Sequence, residues 1–363
     1  MRTLDKYRGC LLGGGAGDAL GYVVEFQSRR SIIDRYGPRG ITDYELHGGV
    51  AEISDDTQMT LFTAAGLLRA GAGGAEGRYS DCIHACYRDW YRTQTEPYPL
   101  AGEERHSWLV NVPGLFHRRA PGNTCLSALS GPVPGTIEDP VNSSKGCGGV
   151  MRVAPVGLFF DGTERSIEEI DRIGAEAAAL THGHPLGYIP AAGLVHIIHL
   201  LVHRDCGLEE VVRDMLPSLR RQFGETPYMG YFTELMDQAL SLARSGAGDP
   251  EAIQQLGEGW VAEETLAIAV YCALKYEDDF DRALIASVNH SGDSDSTGAV
   301  TGNILGAHLG LEGIPRKYRE GLELKEVLLE VADDLCRAGE RTGHPDPAWN
   351  EKYVQMTYTS PAE

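Results

Sequence analysis

Two acidic clusters far apart in the chain each open onto an apolar run rich in small residues. Ser54-Asp55-Asp56-Thr57 is the first, and Asp293-Ser294-Asp295-Ser296-Thr297 is the second. The second leads into Gly298-Ala299-Val300-Thr301-Gly302-Asn303-Ile304-Leu305-Gly306-Ala307, a glycine-rich helical pattern. A helix with so little side chain must pack closely against another element, which restricts how the chain can fold. The clusters carry a second constraint. Carboxylates this crowded repel one another unless a cation neutralises them, and oxygen-only ligand sets suit hard metal ions. The pair of clusters is therefore expected to form one metal site. Taken singly, each has a plainer reading: Ser54 as N-cap, with Asp55 and Asp56 in the first turn, is good capping and dipole chemistry.

Two known acidic motifs fit the second cluster poorly. An EF-hand loop starting at Asp293 needs a carboxylate at its twelfth position, and Ile304 stands there. Asp293-x-Asp295-x-Thr297 resembles the nucleophile motif of haloacid-dehalogenase phosphatases. That motif follows an apolar strand, whereas Asn289-His290-Ser291-Gly292 precedes it here.

Helical periodicity dominates the rest of the chain. Helices are predicted over 4–24, 55–71, 76–93, 146–160, 166–181, 187–203, 208–222, 228–244, 262–276, 280–287, 295–310 and 324–338. Ser166 as N-cap, Glu168 and Glu169 in the first turn, and Ile167, Ile170 and Ile173 at helical spacing illustrate the signal. Strand signals are confined to Ile32-Ile33 and Gly40-Ile41-Thr42, read as short edges. The segment 93–144 is rich in Gly, Pro, Asn and Ser and reads as a long functional loop region. Its aromatics Tyr98, Trp108 and Phe116 suit either a pocket rim or packing. With 363 residues and no linker-like break, the expectation is one all-α domain over 1–363, with 345–363 a flexible tail. The apolar stretch from Gly187 to Val202 contains Pro190, His196 and His199 and reads as a buried helix rather than a membrane span.

A formal net charge of -20 repels phosphate backbones and anionic lipid, so neither a broad nucleic-acid surface nor a membrane partner is expected. The eight cysteines form no Cys-x-x-Cys pair and mostly lie in apolar stretches, which suits reduced thiols and a cytoplasmic location. Cys82, His84 and Cys86 do not share one helical face, so zinc is not expected there. His196, His199 and His203 do share a face, but the helix is apolar, and they read as satisfied core or surface histidines. Cys147 has no sequence-adjacent base and does not read as a nucleophile.

Several further motifs run in a fixed order. Gly9-Cys10-Leu11-Leu12-Gly13-Gly14-Gly15-Ala16-Gly17-Asp18-Ala19-Leu20-Gly21 closes on Val24-Glu25-Phe26, and Ser54-Asp55-Asp56-Thr57-Gln58-Met59 follows. Then come Arg119-Ala120-Pro121-Gly122-Asn123-Thr124, Ser144-Lys145-Gly146-Cys147-Gly148-Gly149-Val150-Met151-Arg152-Val153-Ala154-Pro155 and Thr181-His182. Gly259-Trp260-Val261-Ala262-Glu263-Glu264-Thr265-Leu266-Ala267 and Gly292-Asp293-Ser294-Asp295-Ser296 complete the series. In this order, over residues 5–315, the chain resembles the ADP-ribosylglycohydrolases. The resemblance implies a compact orthogonal bundle of roughly a dozen or more helices.

The same resemblance implies two magnesium or manganese ions held by Ser54, Asp55, Asp56, Asp293, Asp295 and Ser296. The family often carries threonine at the first and last of these positions; serine keeps the hydroxyl but loses the methyl. The implied reaction is hydrolysis of the glycosidic bond between ADP-ribose and an acceptor, with an ADP-ribosylated protein or ADP-ribosyl small molecule as substrate. Glu25 is the implied gate or proton-transfer group, and Asp56 or Asp293 the base. Gly122, Asn123, Thr124, Ser144, Gly146, Cys147, Gly148 and His182 are the implied ADP-ribose wall. Small residues there let backbone N–H groups approach phosphate, ahead of a helix N-terminus, and Lys145 adds a cation. Arginine is the expected acceptor. Another linkage, such as serine or a nucleotide, and a non-catalytic ADP-ribose binder remain the alternatives.

Overall fold

The computed structural model describes residues 3–72, 77–102, 104–161, 165–338 and 347–360. The helices run in order α1 Leu4–Tyr22, α2 Arg29–Tyr36, α3 Asp55–Ala72, α4 Tyr79–Thr95, α5 Asn123–Ser130, α6 Ala154–Phe159, α7 Ile167–Ala179 and α8 Pro185–His203. They continue as α9 Leu208–Phe223, α10 Met229–Arg244, α11 Asp249–Leu256, α12 Ala262–Lys275, α13 Phe280–Val288, α14 Ser294–Leu309, α15 Arg316–Arg319, α16 Lys325–Ala338 and α17 Pro347–Tyr353. Short 3-10 turns sit at Trp108–Asn111, Pro113–Phe116 and Cys147–Gly149. Among the described residues the extended backbone makes only isolated bridges, so the chain is all-α.

The glycine-rich helix finds its partner at the other end of the chain. α1 and α14 run antiparallel with their backbones touching. A Cβ on Gly9 would stand 2.3 Å from the Gly306 carbonyl oxygen, on Gly13 2.4 Å from that of Gly302, and on Gly17 2.0 Å from that of Gly298. Gly21 meets the Ser294 carbonyl oxygen in the same way, at 2.2 Å. Both helices repeat glycine every fourth residue, which keeps the stripe on one face. Around this contact lies one apolar core that takes in α8, where all residues from Leu186 to Val202 are buried. The expectation of a core helix there holds.

Several local expectations are corrected. Ile32 and Ile33 are not strand edges; they lie in α2, where the Ser28 hydroxyl accepts from Ser31 N–H at 3.2 Å and starts the helix. Gly40-Ile41-Thr42 is not a strand either. Instead Asn289 clamps Ile41, accepting from its N–H at 2.8 Å and donating to its carbonyl at 2.9 Å. The predicted helix 146–160 breaks into a 3-10 turn and the six-residue α6. Pro155 explains the break, because proline is tolerated in a first turn but not inside a continuous helix. No long helix therefore starts at the Ser144–Gly149 loop. Helices α2, α5, α11, α15 and α17 carried too few periodic positions to be read from the sequence.

Part of the expected tail is docked. Lys352 donates to Asp334 at 2.7 Å, Tyr353 bonds the same carboxylate at 2.7 Å, and Tyr358 donates to Glu330 at 2.6 Å. Trp108 packs edge-on against Tyr358 and is fully buried, while Tyr98 packs on Phe116. Of the two readings open for these aromatics, the structure takes packing. The histidines on α8 are satisfied as expected. His196 sits between Asp171 at 2.9 Å and Asp214 at 3.3 Å, His199 meets the Gly157 carbonyl at 3.2 Å, and His203 lies 3.4 Å from the Tyr7 hydroxyl. The carboxylates beside His196 come from α7 and α9, so sequence proximity did not reveal them.

Candidate active site

The α1–α14 contact assembles the site. Because the helices are antiparallel, the C-terminal end of α1 meets the N-terminal end of α14. This sets Glu25, just past α1, against Asp293 and Asp295. One oxygen from each of these three carboxylates lies within 4.8 Å of the others. Asp18, deep in α1, fixes the first cluster. Its carboxylate accepts from Ser54 N–H at 3.0 Å, from Thr57 N–H at 3.1 Å and from the Thr57 hydroxyl at 2.5 Å. Burial, followed by repulsion from Asp295, pushes Asp18 up to about 7. Sequence reasoning passed over Asp18 as a site residue. The available signal was an acid in the middle of a glycine-rich apolar helix.

The carboxylates face inward and are crowded. Asp55 accepts from Gly122 N–H at 3.2 Å, which ties the loop before α5 to the cluster. Asp293 caps α14 through Ser296 N–H at 3.2 Å, and its other oxygen accepts from the Cys147 thiol at 2.8 Å. Asp295 accepts from Ser296 N–H at 3.0 Å. Ser54 donates to Asp56 at 3.4 Å and accepts from the Asp56 N–H at 3.2 Å. One oxygen of Glu25 and one of Asp56 are buried with no hydrogen-bond partner among the described residues. Burial above all, and then repulsion from Asp295, raise Asp55, Asp56 and Asp293 well above the usual carboxylate range and Glu25 to about 11. Among the described residues, no lysine or arginine lines the pocket to offset them. Orphaned oxygens among mutually repelling carboxylates are the environment a hard divalent cation relieves. Glu25, Asp55, Asp56, Asp293 and Asp295, with the Ser296 hydroxyl, are the groups that fit it.

The pocket above the carboxylates has a volume of about 450 Å³, within the range of small-molecule sites. Gly122, Asn123, Thr124, Gly146, Cys147, Gly148 and His182 line it alongside Glu25, Asp55, Asp56, Asp293, Asp295 and Ser296. A Cβ on Gly148 would stand 2.9 Å from the His182 ring and 3.0 Å from the Cys125 sulfur, so that position has room only for glycine. His182 is buried beside Thr181, which it meets at 2.8 Å, and burial lowers it to about 3. It is a neutral ring. Burial and the Asp293 carboxylate raise the Cys147 thiol, which agrees with its reading as no nucleophile.

Three expected site residues stand behind the wall instead of lining it. Ser54 props Asp56. The Ser144 hydroxyl lies 3.2 Å from that of Thr124 and accepts from Gly146 N–H at 3.3 Å. Lys145 is turned away and pairs with the buried carboxylate of Glu263, so it offers the pocket no cation. Phe26 and Trp260, quoted in the motifs without a role, also line the pocket. They stack at the mouth with ring centroids 5.8 Å apart, and Phe26 is 75% exposed. Two large apolar rings left in water beside buried carboxylates mark a ligand-facing rim.

Comparison with known proteins agrees with this geometry. The family model described as ADP-ribosylglycohydrolase matches residues 1–345. The chain is 25% identical to human ADP-ribosylhydrolase ARH3, covering 94% of this chain and 95% of that one. It is 27% identical to the ADP-ribosyl-[dinitrogen reductase] glycohydrolase of Rhodospirillum rubrum, over 92% and 97% of the two chains. A solved structure titled ADP-ribosylglycohydrolase-related protein complex shares the fold, with a TM-score of 0.59 at 22% identity over 93% of this chain and 98% of that one. With a matching family model over nearly its whole length and the two acidic clusters joined in one pocket, the chain belongs to the ADP-ribosylglycohydrolase family of glycosylase-type hydrolases.

Proposed function

We propose that the chain removes ADP-ribose from arginine side chains, using two divalent cations, magnesium or manganese, held between the acidic clusters. The observation that carries the acceptor is the Phe26–Trp260 stack beside Glu25 at the pocket mouth. A guanidinium is a planar cation that favours aromatic faces and carboxylates. A serine acceptor presents neither a plane nor a charge. The name of the Rhodospirillum rubrum relative points to a modified protein as substrate, which suits an open rim. The eight free cysteines suit a reducing, cytoplasmic location.

Bound between the clusters, the cations would polarise the ribose hydroxyls and lower the pKa of a water. The remaining work belongs to the chain. Asp56, with an unpartnered oxygen, is better placed than Asp293 to take the proton of the attacking water, because both Asp293 oxygens already accept. Water oxygen bonds to the anomeric carbon, the bond to the guanidine nitrogen breaks, and Glu25 carries a proton to the departing nitrogen. The surrounding carboxylates stabilise the oxocarbenium character of that transition state. The backbone N–H of Gly148 and the side chains of Asn123 and Thr124 hold the diphosphate without a lysine; the N–H groups of Gly146 and Cys147 are already given to Ser144 and to the Trp260 carbonyl.

A hydrolysis panel over arginine-, serine- and nucleotide-linked ADP-ribose tests the reading. Arginine should be the preferred linkage by about tenfold or more, and Phe26→Ala with Trp260→Ala should erase that preference while sparing the poorer substrates, as loss of a cation–π partner would. Preference for serine linkage that survives both substitutions would refute the acceptor assignment.

A further inference from the structure

A second cavity, of about 590 Å³, lies away from the acidic pocket, between the Arg29–Thr42 segment and helices α11 and α13. Its volume suits a ligand of nucleotide size. Ile32, Ile253 and Ile285 give it apolar walls, and Tyr276 adds a ring. Arg29, Arg39 and Arg282 also line it. Their neighbours Arg30 and Arg35 pair with Asp34 and Glu45. Arg29, Arg39 and Arg282 have no carboxylate partner among the described residues; Arg282 instead lies over the Tyr276 ring, 4.4 Å from its centre. In a chain of net charge -20, unpaired arginines gathered on one cavity are a marked asymmetry.

Two acids line the same cavity, and both are already engaged. Asp249 accepts from Lys275 at 2.7 Å and from Tyr271 and Tyr276 at 2.8 Å each. Asp281 accepts from Tyr318 at 2.8 Å and pairs with Lys317 at 2.7 Å. Neither lysine lines the cavity. The charge presented to a ligand is therefore positive, over an apolar floor.

We propose that this cavity binds a nucleoside phosphate, at a site separate from the acidic pocket. The arginine forks match phosphate oxygens, and the isoleucine and tyrosine walls match a flat base. Asn289, which also lines the cavity, runs directly into His290-Ser291-Gly292-Asp293. A ligand seated there rests against the segment that delivers the second acidic cluster.

Hydrogen–deuterium exchange and calorimetry on the full chain test this, with AMP, adenosine and inorganic phosphate as probes. AMP should protect 29–42 and 280–289. Arg39→Glu combined with Arg282→Glu should weaken AMP binding by about tenfold or more, since both charge-assisted contacts are lost. Both side chains are exposed, so the variant should keep its melting temperature and its hydrolase activity. Adenosine and phosphate alone should each bind more weakly than AMP. Protection confined to 120–125 and 146–148, unchanged AMP affinity in the double variant, or equal binding of adenosine or of inorganic phosphate would each overturn the proposal.

Discussion

Asp55→Asn and Asp295→Asn should each cut ADP-ribosyl hydrolysis by about 10³-fold or more, the scale set by losing a preorganised charged group at a reacting centre. The same substitutions should leave the metal-free protein at least as stable as the parent. Asp295 raises every other carboxylate in the cluster, so neutralising it relieves repulsion. The parent should gain melting temperature when magnesium is added, because a ligand that binds only the folded state stabilises it by mass action. The variants should lose most of that gain. Melting curves with and without magnesium therefore separate a lost metal site from a damaged fold. A variant that melts low in both conditions would indicate a structural role instead.

Gly302→Ala should destabilise the protein by about 3 kcal/mol or more, the upper range for overpacked cores. The added Cβ would stand 1.9 Å from the Gly13 carbonyl oxygen. That atom belongs to a helix backbone, so no rotamer change relieves the clash, and α1 and α14 must separate. Denaturant titration measures the loss. Gly230 provides the control: it is exposed in α10 and a Cβ there meets nothing within 4 Å. Gly230→Ala should stabilise by roughly 0.5–1 kcal/mol, the helix-propensity difference alone. Because the glycine stripe also sets Glu25 against Asp293 and Asp295, Gly302→Ala should lower activity beyond the fraction unfolded.

What could be read in the sequence follows from which signals are local. The long amphipathic and apolar helices were legible because their periodicity lies within the segment, as in the capping box from Ser166 to Glu169 in α7. The two acidic clusters were legible because their residues are contiguous. The pairing of α1 with α14 was only half legible: the demand for a close partner was plain, but its identity depends on contacts nearly 300 positions apart, such as Asn303 donating to the Cys10 carbonyl at 2.9 Å. Lys145 illustrates the opposite case. Its charge and place in the glycine loop suited phosphate, yet Glu263, in the first turn of α12, takes it. Asp18 was visible as an anomaly, but its task of holding Ser54 and Thr57 required the fold.

If the acidic clusters act as one metal-dependent site, ADP-ribosyl hydrolysis requires the cations they hold. Turnover of ADP-ribosyl-arginine by the full chain, measured after exhaustive chelation and again after stepwise return of magnesium, tests this most directly. Activity should vanish on chelation and return with magnesium. Full turnover in excess chelator would contradict a metal-dependent site at the acidic clusters.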